Sequence, residues 1–210
     1  MPRERGAGQK KLKPRLHIFC EGEKTEPNYL KGYIEHKFPG TRLSPVRQTS
    51  KNTPIQLVEE AIKEKKKNPD GDMFWVVYDR EAATKYPDAL HAEACRKADA
   101  QGIKIAFSNI CFEVWILLHF QATMAAYTNF DDLKKRSKLR THIKNYDKGI
   151  KRLFSEEEVS AARKRAEALN QRTIAGADPA WVKPYQWNPY TDVYKLLDAI
   201  DDFGAKHCVS

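Results

Sequence analysis

The chain reads as an α/β protein: a mainly parallel sheet flanked by helices, with a basic helical C-terminal extension. Three observations predict this. Two apolar runs, Leu16-His17-Ile18-Phe19-Cys20 and Met73-Phe74-Trp75-Val76-Val77-Tyr78, each stop abruptly at an acid, Glu21 and Asp79. The second run shows no polar alternation, the mark of a strand buried on both faces of a parallel sheet. Stretches of helical period follow the strands and give the order βαβαβαβα.

The elements follow in order. The first strand, residues 16–20, ends in a tight turn that sets Glu21 and Glu23 at the carboxyl edge of the sheet, where open α/β sheets build their sites. Thr25 caps a helix and Pro27 sits in its first turn. Tyr29, Leu30, Tyr33 and Ile34 recur at helical spacing, and the helix fades near Phe38-Pro39-Gly40. Residues 43–48 form a weak strand, placed at an edge by Pro45. Thr53 caps the next helix with Pro54 at its first position. Its buried face is Ile55, Leu57, Val58, Ala61 and Ile62, and Asn68-Pro69-Asp70-Gly71 stops it. After the strand at 73–78, a loop through Tyr86-Pro87 leads to a helix over 88–101 that Gly102 closes. A strand over 103–107 ends at Ser108-Asn109, and 112–120 is a short, very apolar helix.

The pattern changes after Thr123. Residues 130–172 read as helical and basic, with Ser155 and Glu158 as a capping box. Residues 173–189, rich in Gly, Pro and Trp, read as a packed loop. Asn188-Pro189-Tyr190-Thr191 leads into a last amphipathic helix, 192–203, whose stripe of Val193, Leu196, Leu197 and Ile200 docks back on the core. The expected organisation is a flexible basic tail (1–13), an α/β core (14–123) and a helical extension (124–210).

Composition narrows the function. The chain has 210 residues and a net charge of +9. Residues 1–15 carry net +5, residues 16–130 are neutral, residues 131–172 carry +6, and the remainder carries −2. Positive charge confined to a tail and one segment suits a polyanion such as nucleic acid; a solvated basic surface is the plainer alternative. No apolar run approaches the ~20 residues of a membrane helix, and no export signal is seen, so a cytoplasmic protein without a membrane partner is expected. The four cysteines have no CxxC spacing and read as reduced thiols. There is no P-loop and no GxGxxG.

Strand-end carboxylates have a specific use. Mg²⁺ takes hard oxygen ligands, commonly one or two carboxylates with water and substrate phosphate. Asp79 and Glu81, two apart on an extended segment, point the same way, and Glu21 on the neighbouring strand completes an acidic cluster. A divalent ion there activates water and stabilises a leaving oxygen. The same acids could instead cap helices or pair with Arg80 or Lys24. His17 and His119 read as structural histidines. Glu113 lies in the otherwise apolar Cys111-Phe112-Glu113-Val114-Trp115, where an unpaired charge is costly. It needs a metal, a basic group or a helix end.

Four motifs carry a family resemblance over residues 14–203. Phe19-Cys20-Glu21-Gly22-Glu23-Lys24-Thr25-Glu26-Pro27-Asn28-Tyr29 resembles the opening signature of the RloB-like proteins. Tyr78-Asp79-Arg80-Glu81 resembles their second motif and Ser108-Asn109-Ile110-Cys111-Phe112-Glu113-Val114-Trp115-Ile116-Leu117-Leu118-His119-Phe120 their third. Asn188-Pro189-Tyr190-Thr191-Asp192-Val193 resembles the last. That family is similar to Toprim domains, the metal-dependent nuclease and topoisomerase-primase fold. In that comparison Glu21 matches the acid after the first strand, and Asp79 and Glu81 match a later Asp-x-Asp pair. The second acid here is Glu, whose longer arm bears on metal geometry.

The resemblance implies a Toprim-like core and a bacterial anti-phage defence nuclease from a restriction-linked locus, often beside a partner ATPase. On this reading Glu21, Asp79 and Glu81 hold Mg²⁺ or Mn²⁺ and water, Glu113 supports catalysis, and Lys24, Arg80 and Asn109 contact DNA or RNA. A second reading is a non-catalytic nucleic-acid-binding or sensor subunit acting through the ATPase. A third is phosphoryl or nucleotidyl transfer on a small nucleotide. Oligomeric state is not encoded in any motif.

Overall fold

The structure is a computed structural model that describes residues 14–40, 46–48, 53–67, 71–82, 84–149 and 151–207. The expected basic tail, the start of the weak strand, the Asn68-Pro69-Asp70 stop and Cys208 lie outside these. Five strands form one sheet in the order β2-β1-β3-β4-β5. They are β1 (Leu16–Cys20), β2 (Val46–Gln48), β3 (Met73–Asp79), β4 (Lys104–Asn109) and β5 (Tyr190–Thr191). The first four are parallel; β5 runs antiparallel to β4. The chain is therefore α/β with a mostly parallel sheet and helices on both faces, as expected.

The pleat sorts strand residues between two cores. Leu16, Ile18, Cys20, Trp75, Val77 and Ala106 face one side. There they meet α1 (Thr25–Lys37), α4 (Glu113–Leu118), α7 (Glu156–Ala175) and α8 (Val193–His207). Phe19, Phe74, Val76, Tyr78 and Phe107 face the other side, against α2 (Pro54–Lys67) and α3 (Asp88–Ala100). Complete burial of Leu16 and Ile18 on one face and of Val76 on the other explains why the strand runs do not alternate. The last helix docks by its expected stripe: Val193, Leu196, Leu197 and Ile200 are all at 0% exposure.

Strand order positions the site. From β1 the chain moves to β2 on one side; from β3 it moves to β4 on the other. The crevice where the order reverses thus lies between β1 and β3, at their carboxyl ends. Glu21 leaves β1 and Asp79 ends β3 on either side of it, and Glu21 N still donates to Val77 O at 3.0 Å.

Several local readings change. Thr25 is the first residue of α1, not its cap, and its hydroxyl donates to Glu113 Oε1 at 3.4 Å. The apolar helix shortens to the six residues of α4. Tyr190-Thr191 forms β5 where only a lead-in was expected, and Asp192 does not begin the helix. Its backbone N donates to Phe107 O at 3.0 Å and its Oδ1 accepts from Phe107 N at 2.6 Å, extending the β4 edge. Residues 130–172 are not one helical run. They hold α5 (Phe130–Arg136), α6 (Leu139–His142) and α7, with irregular backbone over 143–149 and 151–155. Asn145 (φ +56°) and Gly149 (φ +98°) break the helix there, while Ile143 and Tyr146 turn inward and are buried. The capping box before α7 is present: Glu158 N donates to Ser155 Oγ at 3.2 Å and Ser155 N to Glu158 Oε2 at 3.0 Å. Among the described residues no helix is long and apolar enough to cross a membrane.

Candidate active site at the carboxyl edge of the sheet

A cleft of about 340 Å³ opens over the β1–β3 crevice. Six carboxylates line it: Glu21, Glu23, Glu26, Asp79, Glu81 and Glu113, of which Glu23 is exposed. Three lysines reach it: Lys24, Lys85 and Lys148.

Asp79 is buried, 6% exposed. Its Oδ2 accepts from Phe112 N at 3.0 Å, and its Oδ1 is buried with no partner. Burial pushes its pKa well above the ordinary carboxylate value, and the charges of Glu26, Glu113 and Glu21 push it the same way. Glu21 Oε2 accepts a long hydrogen bond from Asp79 N at 3.4 Å. Burial and the Glu81 charge raise the Glu21 carboxyl to about 7. Glu113 Oε1 accepts from Thr25 Oγ1 and, at 3.1 Å, from Tyr146 Oη. This is the partner its apolar setting demanded: two hydroxyls rather than a cation.

Glu81 departs from the expected geometry. β3 ends at Asp79, and Glu81 has a left-handed backbone (φ +52°) with its N donating to Ile110 O at 2.8 Å. The two acids are thus not neighbours on one extended face. Glu81 nevertheless lines the cleft, where it pairs with Lys85.

Arg80 and Asn109 are directed elsewhere. Arg80 is buried, donating to Tyr185 O at 3.1 Å, to Tyr86 O and to Asp88 Oδ1 at 2.7 Å. Asn109 Nδ2 also donates to Tyr185 O, at 3.2 Å. Their donors tie the β3 and β4 ends to the turn at Pro184–Gln186, so neither enters the substrate contacts proposed below. Lys24 is exposed, and its stem lies against Gly149.

Sequence reasoning missed Glu26, Tyr146 and Lys148 as site residues. Glu26 sits in the first turn of α1, where an acid is usually read as a dipole partner. Its carboxyl fills the space that a Cβ at Gly22 would need, so a side chain at Gly22 would displace it. Burial raises it to about 7, and the Glu113 charge adds to this. Lys148 comes from the irregular segment of the extension. Burial alone would lower its pKa, but Glu113, Asp79 and Glu26 outweigh that and raise it.

The two histidines are structural. His17 Nε2 meets Asp72 Oδ2 at 2.7 Å and its ring stacks on Phe74. His119 Nδ1 lies 3.0 Å from Trp115 O, which can only accept; that nitrogen therefore carries the proton and Nε2 accepts from Tyr29 Oη at 3.0 Å.

Among the described residues no three His, Cys, Asp or Glu side chains already stand close enough to hold an ion. The donor set still fits a hard divalent cation. Asp79, which keeps an orphaned buried oxygen, lines a cleft where carboxylates outnumber lysines, and oxygen-only ligands suit Mg²⁺ or Mn²⁺.

The fold and site together define an α/β protein with an acid-lined cleft at its topological switch point. The RloB-like protein family model matches residues 16–200, and the chain belongs to that family. No curated protein and no solved structure matches it.

Proposed function

We propose that the chain is a Mg²⁺- or Mn²⁺-dependent nuclease that cleaves phosphodiesters of DNA or RNA, acting in the cytoplasm in anti-phage defence. The observation that carries this reading is the unpartnered buried Oδ1 of Asp79, a residue lining a cleft with a surplus of carboxylates. An uncompensated buried acid is costly, and sites that tolerate one are commonly functional.

Asp79, Glu21 and Glu81 would hold the ion. Bound there, it would supply positive charge to a phosphodiester oxygen and acidify water. Glu26, titrating near neutrality, can hold or release a proton at its carboxyl oxygens. Thr25 and Tyr146 orient Glu113 through their hydroxyls. Basic residues of α5, α6 and the segment that follows supply sequence-independent attraction for the backbone of a nucleic acid.

Calorimetry with Mg²⁺ and Mn²⁺ on the parent and on Asp79→Ala tests the site, followed by cleavage assays on DNA and RNA. The expected result is loss of ion binding and cleavage with the fold intact by circular dichroism. Full activity in Asp79→Ala would sink the mechanism.

The confinement of net +6 to residues 131–172 favours a second reading, a nucleic-acid-binding or sensor subunit working with a partner ATPase. It predicts that charge reversal in this segment removes function while Asp79→Ala preserves it.

A further inference from the structure

The irregular segment between α6 and α7 is fastened to the cleft at three points. Tyr146 Oη donates to Glu113 Oε1 at 3.1 Å, Asn28 Nδ2 donates to Gly149 O at 3.0 Å, and the Lys24 stem packs on Gly149. Gly149 needs its positive φ to make this turn, and a side chain there would meet Lys24. Lys148 lies between the fastened residues and lines the cleft.

Lys148 differs from the other two lysines of the cleft: Lys24 is exposed, with its stem on Gly149. Lys85 is held by Glu81 in an ion pair. Among the described residues Lys148 has no carboxylate within ion-pair distance; its ammonium sits 4.9 Å from the Phe130 ring centroid. Its charge is nevertheless felt by Glu113, Asp79 and Glu26. Lys148 thus faces the carboxylates' charge without being locked to any one of them. A lysine is a compact charge on a flexible stem, able to serve the carboxylates or an incoming anion. The unpartnered Asp79 Oδ1 in the same cleft shows that the acids are not fully served by the protein.

We propose that Lys148 is the phosphate-anchoring residue of this site. It acts as a tethered counter-ion to the carboxylates in the cation-free cleft and turns to a phosphate oxygen of the nucleic acid once a divalent ion enters. The assignment rests on the nuclease reading of the cleft and adds to it a residue from the extension. It follows that the α/β core alone does not hold the complete site.

A tethered counter-ion has a signature that a structural lysine lacks: removing it affects metal and nucleic acid in opposite directions. The positive charge opposes the divalent ion, so Lys148→Met should bind Mn²⁺ more tightly by roughly tenfold at low salt. The same variant should bind a fluorescent 20-mer oligonucleotide more weakly in Ca²⁺, and its log–log salt slope should fall by about 0.7–0.9. Lys148→Arg keeps the charge and should restore metal affinity to the parent value. Lys206→Met, at an exposed position of α8, controls for net charge. Mn²⁺ titration by calorimetry and fluorescence anisotropy of the DNA and RNA 20-mers give both readouts without turnover.

Opposite shifts in Lys148→Met, absent in Lys206→Met, are the expected result. Unchanged binding of both ligands in Lys148→Met, with the parent binding both, overturns the assignment alone. A parallel loss of both ligands makes the segment merely a support and also overturns it. A folded parent that neither binds nor cleaves either 20-mer overturns the nuclease reading, and this assignment with it.

Discussion

Helix α1 joins two charge clusters of opposite character. Near its C-terminal end, Asp201 accepts from Tyr33 Oη at 2.7 Å, Lys37 Nζ at 2.9 Å and Arg163 Nη2 at 2.7 Å. Burial alone would raise the Asp201 carboxyl, but these donors hold it below the usual carboxylate range. Near the N-terminal end, Asp79 has one backbone donor and an oxygen with none, and burial and its acidic neighbours drive it upward. The residue types are similar; the difference lies in the count of donors. A carboxylate placed for stability is supplied with partners by the fold. Asp79 is left short, and the deficit is what an external cation could fill.

The largest test of this contrast is a matched pair of variants. Asp79→Asn should lower cleavage by at least about a hundredfold, beyond the loss typical of outer-shell changes, with melting temperature unchanged or raised. Asp201→Asn should do the reverse: activity retained, and stability reduced by about 1 kcal/mol after allowing for its partial exposure. Thermal melts and cleavage rates on the two proteins decide it. Equal stability losses would erase the distinction between the clusters.

pH sharpens the comparison. Glu21 titrates near 7 in the folded chain against an ordinary 4.5. Its contribution to stability is thus complete below pH 4.5 and lost as pH rises through 7. In metal-free buffer, Glu21→Gln should match the parent near pH 4.5 and exceed its melting temperature increasingly up to pH 8. Mg²⁺ should narrow the gap at pH 8. Asp201 behaves oppositely: its lowered pKa gives stability above the ordinary 3.8 that is lost as pH falls. A flat difference between Glu21→Gln and the parent across this range would show that the Glu21 carboxyl is ordinarily solvated.

The smallest effect is expected at Tyr146. Tyr146→Phe removes one hydroxyl donor from Glu113 while Thr25 keeps the other. A loss of about 0.5–1.5 kcal/mol in stability and a few-fold fall in cleavage rate should result. An unchanged melt and rate would mean that Thr25 and solvent suffice.

The parts of this protein legible from the chain alone are those that local pattern controls. Unbroken apolar runs marked β1 and β3, helical spacing marked α1, α2 and α8, and abrupt endings in acid put Glu21 and Asp79 at strand ends. Each depends on residues within a few positions of one another, so burial and backbone period write it directly into the chain. Glu81 was read as a partner of Asp79 on one extended face, because nothing local announces that its backbone turns left-handed. The engagement of Arg80 is hidden from the sequence for the same reason: its acceptors Tyr185 O and Tyr86 O belong to other segments. Only the tertiary structure decided which charges meet. Glu26, Glu113 and Lys148 come from α1, α4 and the segment before α7, and no spacing relates them. Their convergence, and the Asp79 oxygen it leaves unserved, arise from how helices pack on a sheet whose strand order reverses between β1 and β3.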